Sequence, residues 1–291
     1  MPAAARPPLA WGTDELQAAL ARLCPGLEVR VEANLASTNT SLLDACRTSP
    51  TAWRAPVLLV AEHQSGGRGR QGRVWASEPG ASLTCSLAWP LRRVDFSGLS
   101  LAVGVALAEA IDPPRAGAAR IGVKWPNDLW LLDAEPAPDR APGRKFGGVL
   151  IETVAQLAPA ADRVAVIGIG LNVLPLAVTD PSSGVACLHE LDAHLTAPLA
   201  LQRIAAPLLR ALAEFEASGF AGFKTRYAAR DLLYGRPVQA GAHSGMAGGV
   251  TADGALQLND GDAMHHIVAG DVSVRLQPRG LPMATPSPAA C

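Results

Sequence analysis

The chain has 291 residues, of which 49% are apolar and 18% charged, and a net charge of −1. That length holds one large domain, or a domain plus a small module, with enough apolar mass for a sizeable core. The near-zero charge argues against a protein held on DNA by a broad basic field and against a membrane-surface protein. Five cysteines (Cys24, Cys46, Cys85, Cys187 and Cys291) are odd in number and never in C-x-x-C spacing. This fits neither a disulfide framework nor a zinc knuckle and points to a reducing, cytoplasmic location. The start, MPAAARPPLA, is broken by prolines and is not a secretory signal. The most apolar run, Val164–Val178, falls short of the roughly 20 residues a bilayer span needs.

In chain order, residues 1–12 read as a disordered lead. Thr13 to Leu23 reads as a helix: Leu16, Ala19, Leu20 and Leu23 share a face, acids suit its first turn, and Pro25-Gly26 stops it. Leu27, Val29 and Val31 alternate as in a strand. Ser37-Thr38-Asn39 is a cap-forming cluster before a short helix containing Leu42, Leu43 and Cys46. Val57–Ala61 is a continuous apolar run, expected of a strand buried on both faces. It leads into HQSGGRGRQGRVW, where Arg68, Arg70 and Arg73 crowd six residues. Leu83, Cys85 and Leu87 alternate as a strand, and Leu99–Ile111 patterns as a helix. Strand-like pieces recur at Arg120–Trp125, Leu129–Leu132, Lys145–Val154 and Arg163–Val173. Residues 133–144, rich in proline and charge, read as an exposed hairpin loop. A helical pattern returns over Pro198–Ala217. After Tyr234 the glycine-dense texture predicts a small all-β module, with His265-His266 in one of its loops, and then a loose tail.

GRGRQG, residues 67–72, matches the spacing G-x-G-x-x-G. A dinucleotide turn of that pattern needs a strand before it and a helix after it. The strand is present, but after Gly72 come Trp75, a Glu-Pro-Gly turn and another strand. The arginines point to a different way of holding an anion. Glycines let the backbone approach a ligand closely, and guanidinium groups at alternating positions supply forked, charge-assisted hydrogen bonds.

HQSGGRGRQGRVW resembles the signature loop of the biotin–protein ligases. Other segments match that family in the same order: STN (37–39), VKWPNDLWL (123–131), KFGGVLIE (145–152), IGIGLNV (167–173) and GRPV (235–238). The resemblance implies an α+β fold: a mixed β-sheet flanked by helices, biotin/lipoate ligase-like and related to the core of class II aminoacyl-tRNA synthetases, with a small C-terminal SH3-like β-barrel. The expected division is a catalytic domain over 13–230, a C-terminal β domain over 231–277 and a flexible tail over 278–291. The implied activity is ATP-dependent and AMP-forming: biotin is activated to biotinyl-5′-adenylate, then transferred to a lysine of the biotin carboxyl carrier protein of acetyl-CoA carboxylase.

By position, the resemblance assigns Ser37, Thr38, Asn39 and Gln64 to the ureido ring of biotin. Arg68, Gly69 and Arg70 would close over the carboxylate and phosphate, with Lys145 as the main catalytic cation at that junction and Arg70 catalytic beside it. Gly67, Arg68, Arg70, Arg73, Trp75, Asn127 and Asn172 are candidates for the ATP or adenylate side, with Trp75 ordering the loop. Asp128 has two open roles, orienting Lys145 or a magnesium-bound phosphate, and Lys124 is a further candidate without an assigned role. No protein-bound metal is expected; Mg²⁺ accompanies ATP. Each residue also has a plain structural reading: a helix cap for Ser37-Thr38-Asn39, core packing for Trp125, satisfaction of a backbone group for Asn172, an ordinary exposed lysine for Lys145. Their ordered co-occurrence favours the functional one.

Some relatives carry a winged helix-turn-helix before the ligase core. Only 36 residues precede Ser37, so a monofunctional ligase with no nucleic-acid partner and no membrane is expected, as a monomer or homodimer. The acceptor would be a small acidic carrier domain meeting a sheet edge. Val185 follows Gly184 where some relatives have an aromatic, so the group stacking on adenine is unassigned. The competing readings are a lipoate or octanoate ligase and a non-catalytic biotin or nucleotide sensor. Hydrolase readings fail, because there is neither G-x-S-x-G nor H-E-x-x-H.

Overall fold

The computed structural model describes residues 9–48, 55–92, 95–114, 119–135, 141–155, 163–176, 184–270 and 273–277. The expected lead (except its last residues), the tail, the centre of the 133–144 loop and residues 177–183 lie outside the described residues.

A seven-stranded sheet organises the molecule. Its strands are β1 (Glu28–Leu35), β2 (Val57–Gln64), β3 (Ser82–Leu91), β4 (Ile121–Lys124), β5 (Asp128–Leu132), β6 (Gly143–Val154) and β7 (Arg163–Asn172), in the spatial order β1-β2-β3-β7-β6-β5-β4. β1 and β2 run parallel and every other pair is antiparallel, so the sheet is mixed. The helices are α1 (Thr13–Ala21), α2 (Thr38–Thr48), α3 (Leu99–Ile111), α4 (Ala197–Ser218) and the short α5 (Lys224–Ala228). The first ends at Ala21, two residues before the expected Leu23.

Strand alternation divides the side chains between two faces. Leu58 and Val60 of β2, Leu83, Cys85 and Leu87 of β3, and Ala165, Ile167 and Ile169 of β7 join α1, α3 and α4 in the main core. On the opposite face, Val57, Leu59, Ala88, Val164 and Val166 pack beneath Leu42, Leu43 and Cys46 of α2. β2 is therefore covered on both faces, which is why its apolar residues run without interruption. The α2 helix is short and covers only part of its face. Beside its first turn, β7 changes from Val164 and Val166 to Gly168 and Gly170, whose missing side chains leave room for Asn39 and Trp75.

Five further strands form a second sheet, β11-β10-β9-β8-β12, from β8 (Pro237–Ala240), β9 (His243–Val250), β10 (Leu256–Asn259), β11 (Met264–Ile267) and β12 (Val274–Leu276). The expected small β module is present. One detail differs: His265 and His266 lie in β11, not a loop, where His265 pairs with Asp260 at 2.5 Å and stacks on His243 at 4.4 Å. The module is joined to the large sheet by Trp125, whose indole N–H donates to Gly254 O at 3.0 Å, and by Lys124, whose Nζ donates to Val274 O at 2.8 Å. No helix among the described residues is long and apolar enough to cross a membrane.

Candidate active site

Over this part of the sheet lies a cavity of about 920 Å³, at the upper end of the roughly 300–1,000 Å³ usual for small-molecule sites. Ser37, Thr38, Asn39, Gln64, Arg68, Gly69, Arg70, Arg73, Trp75, Lys124, Asn127, Asp128, Lys145 and Asn172 all line it. Gly67 does not. It closes the arginine hairpin instead: its carbonyl accepts from Trp75 N at 2.9 Å, and a Cβ at this position would sit 2.4 Å from Trp75 O.

One wall is a buried polar row at the start of α2. Ser37 caps the helix, its Oγ accepting from Thr40 N at 3.4 Å, so the cap reading and the cavity-lining reading hold together. Thr38 N donates to Gln64 Oε1 at 2.8 Å. Thr38 Oγ1 lies 2.6 Å from Ser86 Oγ, which donates to Asn39 Oδ1 at 2.6 Å. Asn39 rests on Gly168, where a Cβ would lie 2.3 Å from Oδ1. These groups are buried yet bonded to one another, as polar groups withdrawn from water must be.

The arginine loop is a hairpin, held by a bridge between Arg68 and Val74, with a short 3-10 turn at Arg70–Gly72 and Gln71 at φ 57°. No helix follows it, as the sequence order requires. Arg68 Nη2 donates to Thr40 Oγ1 at 3.1 Å and pairs with Glu152 Oε1 at 3.5 Å. Arg70 Nη1 donates to Asn127 Oδ1 at 3.3 Å and Nη2 bonds Gly270 O, while Arg73 reaches Ser273 Oγ at 3.3 Å. The loop thus spans from α2 to the C-terminal module.

Lys145 Nζ meets Asp128 Oδ1 at 2.6 Å and faces the Trp75 ring at 5.8 Å. Asp128 is thus paired with Lys145, the contact that the first of its two expected roles requires. Trp75 lies over Gly170, and its buried indole N–H has no partner within the described protein. Asn127 Nδ2 donates to Val149 O at 2.8 Å and Asn172 Nδ2 to Ala186 O at 3.2 Å. The backbone-satisfying reading of Asn172 therefore holds while the residue still lines the cavity. Lys124 lies 5.4 Å from the Trp130 ring as well as bonding β12, which makes it a clasp between the two sheets. Among the described residues no His, Cys, Asp and Glu cluster could hold a metal ion.

Sequence reading passed over Ser86, Glu152 and the residues Ser273 to Gln277. Ser86 was signalled only by a hydroxyl within an apolar strand. Glu152 stands inside KFGGVLIE without a distinguishing pattern. The C-terminal residues reach the cavity through long-range packing that no local motif encodes.

Fold and cavity define a site that joins a buried polar wall to a cationic hairpin. Residues 32–172 match the biotin/lipoate A/B protein ligase family, and residues 235–275 match the biotin protein ligase C-terminal domain. The chain is 33% identical to the biotin–[acetyl-CoA-carboxylase] ligase of Mycobacterium tuberculosis, over 84% of this chain and 88% of that protein. It is 33% identical to the bifunctional ligase/repressor BirA of Salmonella typhimurium, over 82% of this chain and 72% of that protein. The fold is that of the biotin protein ligase from Aquifex aeolicus in complex with biotin and ATP, with a TM-score of 0.67 and 23% identity over 86% of this chain and 99% of the other. The chain belongs to the biotin–protein ligase family.

Proposed function

We propose that the protein activates biotin with ATP and transfers the biotinyl group to a lysine of the biotin carboxyl carrier domain of acetyl-CoA carboxylase. The observation that carries this reading is the meeting, in one cavity, of a buried hydrogen-bonding row (Ser37, Thr38, Asn39 and Gln64) with a cationic cluster (Arg68, Arg70 and Lys145). The row suits the polar ring of biotin. The cluster suits the place where its carboxylate meets the α-phosphate.

In the first step a biotin carboxylate oxygen bonds to the α-phosphorus and pyrophosphate leaves. Two anions must approach, so fixed positive charge at the junction lowers the barrier. Lys145 and Arg70 supply it, a role supported by the contacts of Lys145 with Asp128 and of Arg70 with Asn127 and the C-terminal module. In the second step the carrier lysine's neutral amine attacks the biotinyl carbonyl carbon, AMP leaves and the amine loses a proton. Between the steps the arginine hairpin shields the mixed anhydride from water. Trp75 orders that hairpin, and Arg73, Asn127 and Asn172 bind the nucleotide side. Magnesium enters with ATP, bound to its phosphates. Residues 13–230 form the catalytic unit and 231–277 a C-terminal unit that latches the flap.

Biotin-dependent exchange of pyrophosphate into ATP tests the reading. Exchange requiring biotin and unmoved by lipoate or octanoate supports it. Exchange driven by lipoate or octanoate, or none at all, overturns it.

A further inference from the structure

Glu152 lies on the cavity side of β6, two residues beyond Leu150 and paired with Val166, yet it does not line the cavity. The steps above make no use of it. Its Oε2 accepts from Asn39 Nδ2 at 2.9 Å, and its Oε1 pairs with Arg68 at 3.5 Å.

A carboxamide has two orientations of equal shape that exchange oxygen and nitrogen, and the hydrogen-bond partners choose between them. Asn39 has Ser86 Oγ at one end, and Glu152 and Leu150 O (3.4 Å) at the other. The serine hydroxyl can donate or accept, so it has no preference. A carboxylate and a carbonyl only accept. The nitrogen must therefore face β6, and Oδ1 must face Ser86. Ser86 then commits its one proton to Asn39. Ser86 is then an acceptor toward Thr38, whose hydroxyl meets acceptors on both sides, Ser86 Oγ at 2.6 Å and Gln64 Oε1 at 3.1 Å, so its one proton stays within the row. The direction of the whole row follows from the charge at its end.

We infer that Glu152 is a positioning residue: by fixing the Asn39 amide it sets the direction of the Thr38–Ser86–Asn39 hydrogen-bond chain, so that this wall turns lone pairs toward the N–H groups of the ligand's ring. The inference rests on the reading of the cavity as a biotin site. Reversal of the chain would present N–H and O–H donors to a ring edge that itself donates. The ion pair with Arg68 resists that reversal, since the carboxylate offers Oε2 to Asn39 and Oε1 to Arg68, whereas a neutral amide at position 152 puts an NH₂ in place of one of these oxygens.

The test is Glu152→Gln assayed by pyrophosphate exchange beside the parent. The expected result is a KM for biotin raised about tenfold or more, with kcat and the KM for ATP within about twofold. Asn39→Asp sets carboxylate against carboxylate and loses biotin affinity; combining it with Glu152→Gln restores a donor–acceptor pair and recovers at least about fivefold of that loss. An unchanged biotin KM in folded Glu152→Gln, or equal losses in all three parameters, overturns the inference while leaving the proposed activity intact. If Glu152→Gln does not fold, the double variant decides: no recovery over Asn39→Asp overturns the inference. A parent without biotin-dependent exchange removes both.

Discussion

Lys145 Nζ and Asp128 Oδ1 stand 2.6 Å apart on paired strands β6 and β5, both on the cavity wall and neither fully exposed. The carboxylate holds the ammonium at the end of the cavity where Arg70 and Asn127 also meet. Replacing Lys145 with alanine is expected to slow adenylate formation by about 10²–10³, the usual effect of removing one preorganised charge-stabilising group. Biotin affinity should change only a few-fold. Single-turnover kinetics beside calorimetric titration of biotin checks this, and equal losses in both remove Lys145 from the catalytic set.

Arg70 fastens the hairpin to Asn127 and to Gly270 of the C-terminal module. Arg70→Ala is expected to release biotinyl-adenylate early, so that lysines of an unrelated bystander protein become labelled. Mass spectrometry of that bystander reads the effect. A variant as selective as the parent contradicts the shielding role of the loop.

Gly168 leaves room for the Asn39 amide, which is pinned from two sides. A methyl there would lie 2.3 Å from Asn39 Oδ1, and the same change at Gly170 would lie 2.4 Å from the Trp75 ring. Overpacking of about 1–3 kcal/mol is the expected cost. Gly168→Ala should thus weaken biotin binding by about tenfold or more, whereas Gly170→Ala should act mainly on the fluorescence of Trp75, which it displaces. Titration of each variant with biotin separates the two.

Asp231 lies at the junction of the two sheets, and burial pushes its carboxyl up to about 6 from an ordinary 3.8. Hydrogen bonds from Leu233 N and the Tyr227 hydroxyl act in the opposite direction and are outweighed. A carboxyl raised on folding contributes its stability below pH ~4 and loses it as pH rises through 6. Asp231→Asn keeps the acceptor oxygen and cannot ionise. It should raise the unfolding free energy more at pH 8 than at pH 4, by on the order of 2–3 kcal/mol at the higher pH, as read from denaturant titrations. Equal shifts at both values contradict the assignment.

Much of this site is legible in the sequence because its segments carry their own signals. Glycines alternating with arginines mark the loop that lies as a hairpin on the cavity wall, and the missing helix after Gly72 rejects a dinucleotide turn. The apolar run of β2 reads correctly as a strand covered on both faces. Legibility stops where meaning depends on distant neighbours. Lys124 belongs to a recognisable motif, but its clasp on Val274 arises 150 residues away. Ser86 looks like a stray hydroxyl until Asn39 and Thr38 close around it. His265 and His266 carry no strand pattern of their own, and pairing with β10 draws them into β11. Gly67 shows the converse: a motif glycine set aside for ligand proves to serve the hairpin turn.

The most direct test is to incubate the protein with biotin, Mg-ATP and a biotin carboxyl carrier domain, and to weigh the carrier. The account predicts one biotinyl group on a single carrier lysine, dependent on both biotin and ATP and lost in Lys145→Ala. An unmodified carrier, or one modified equally well without ATP, would contradict it.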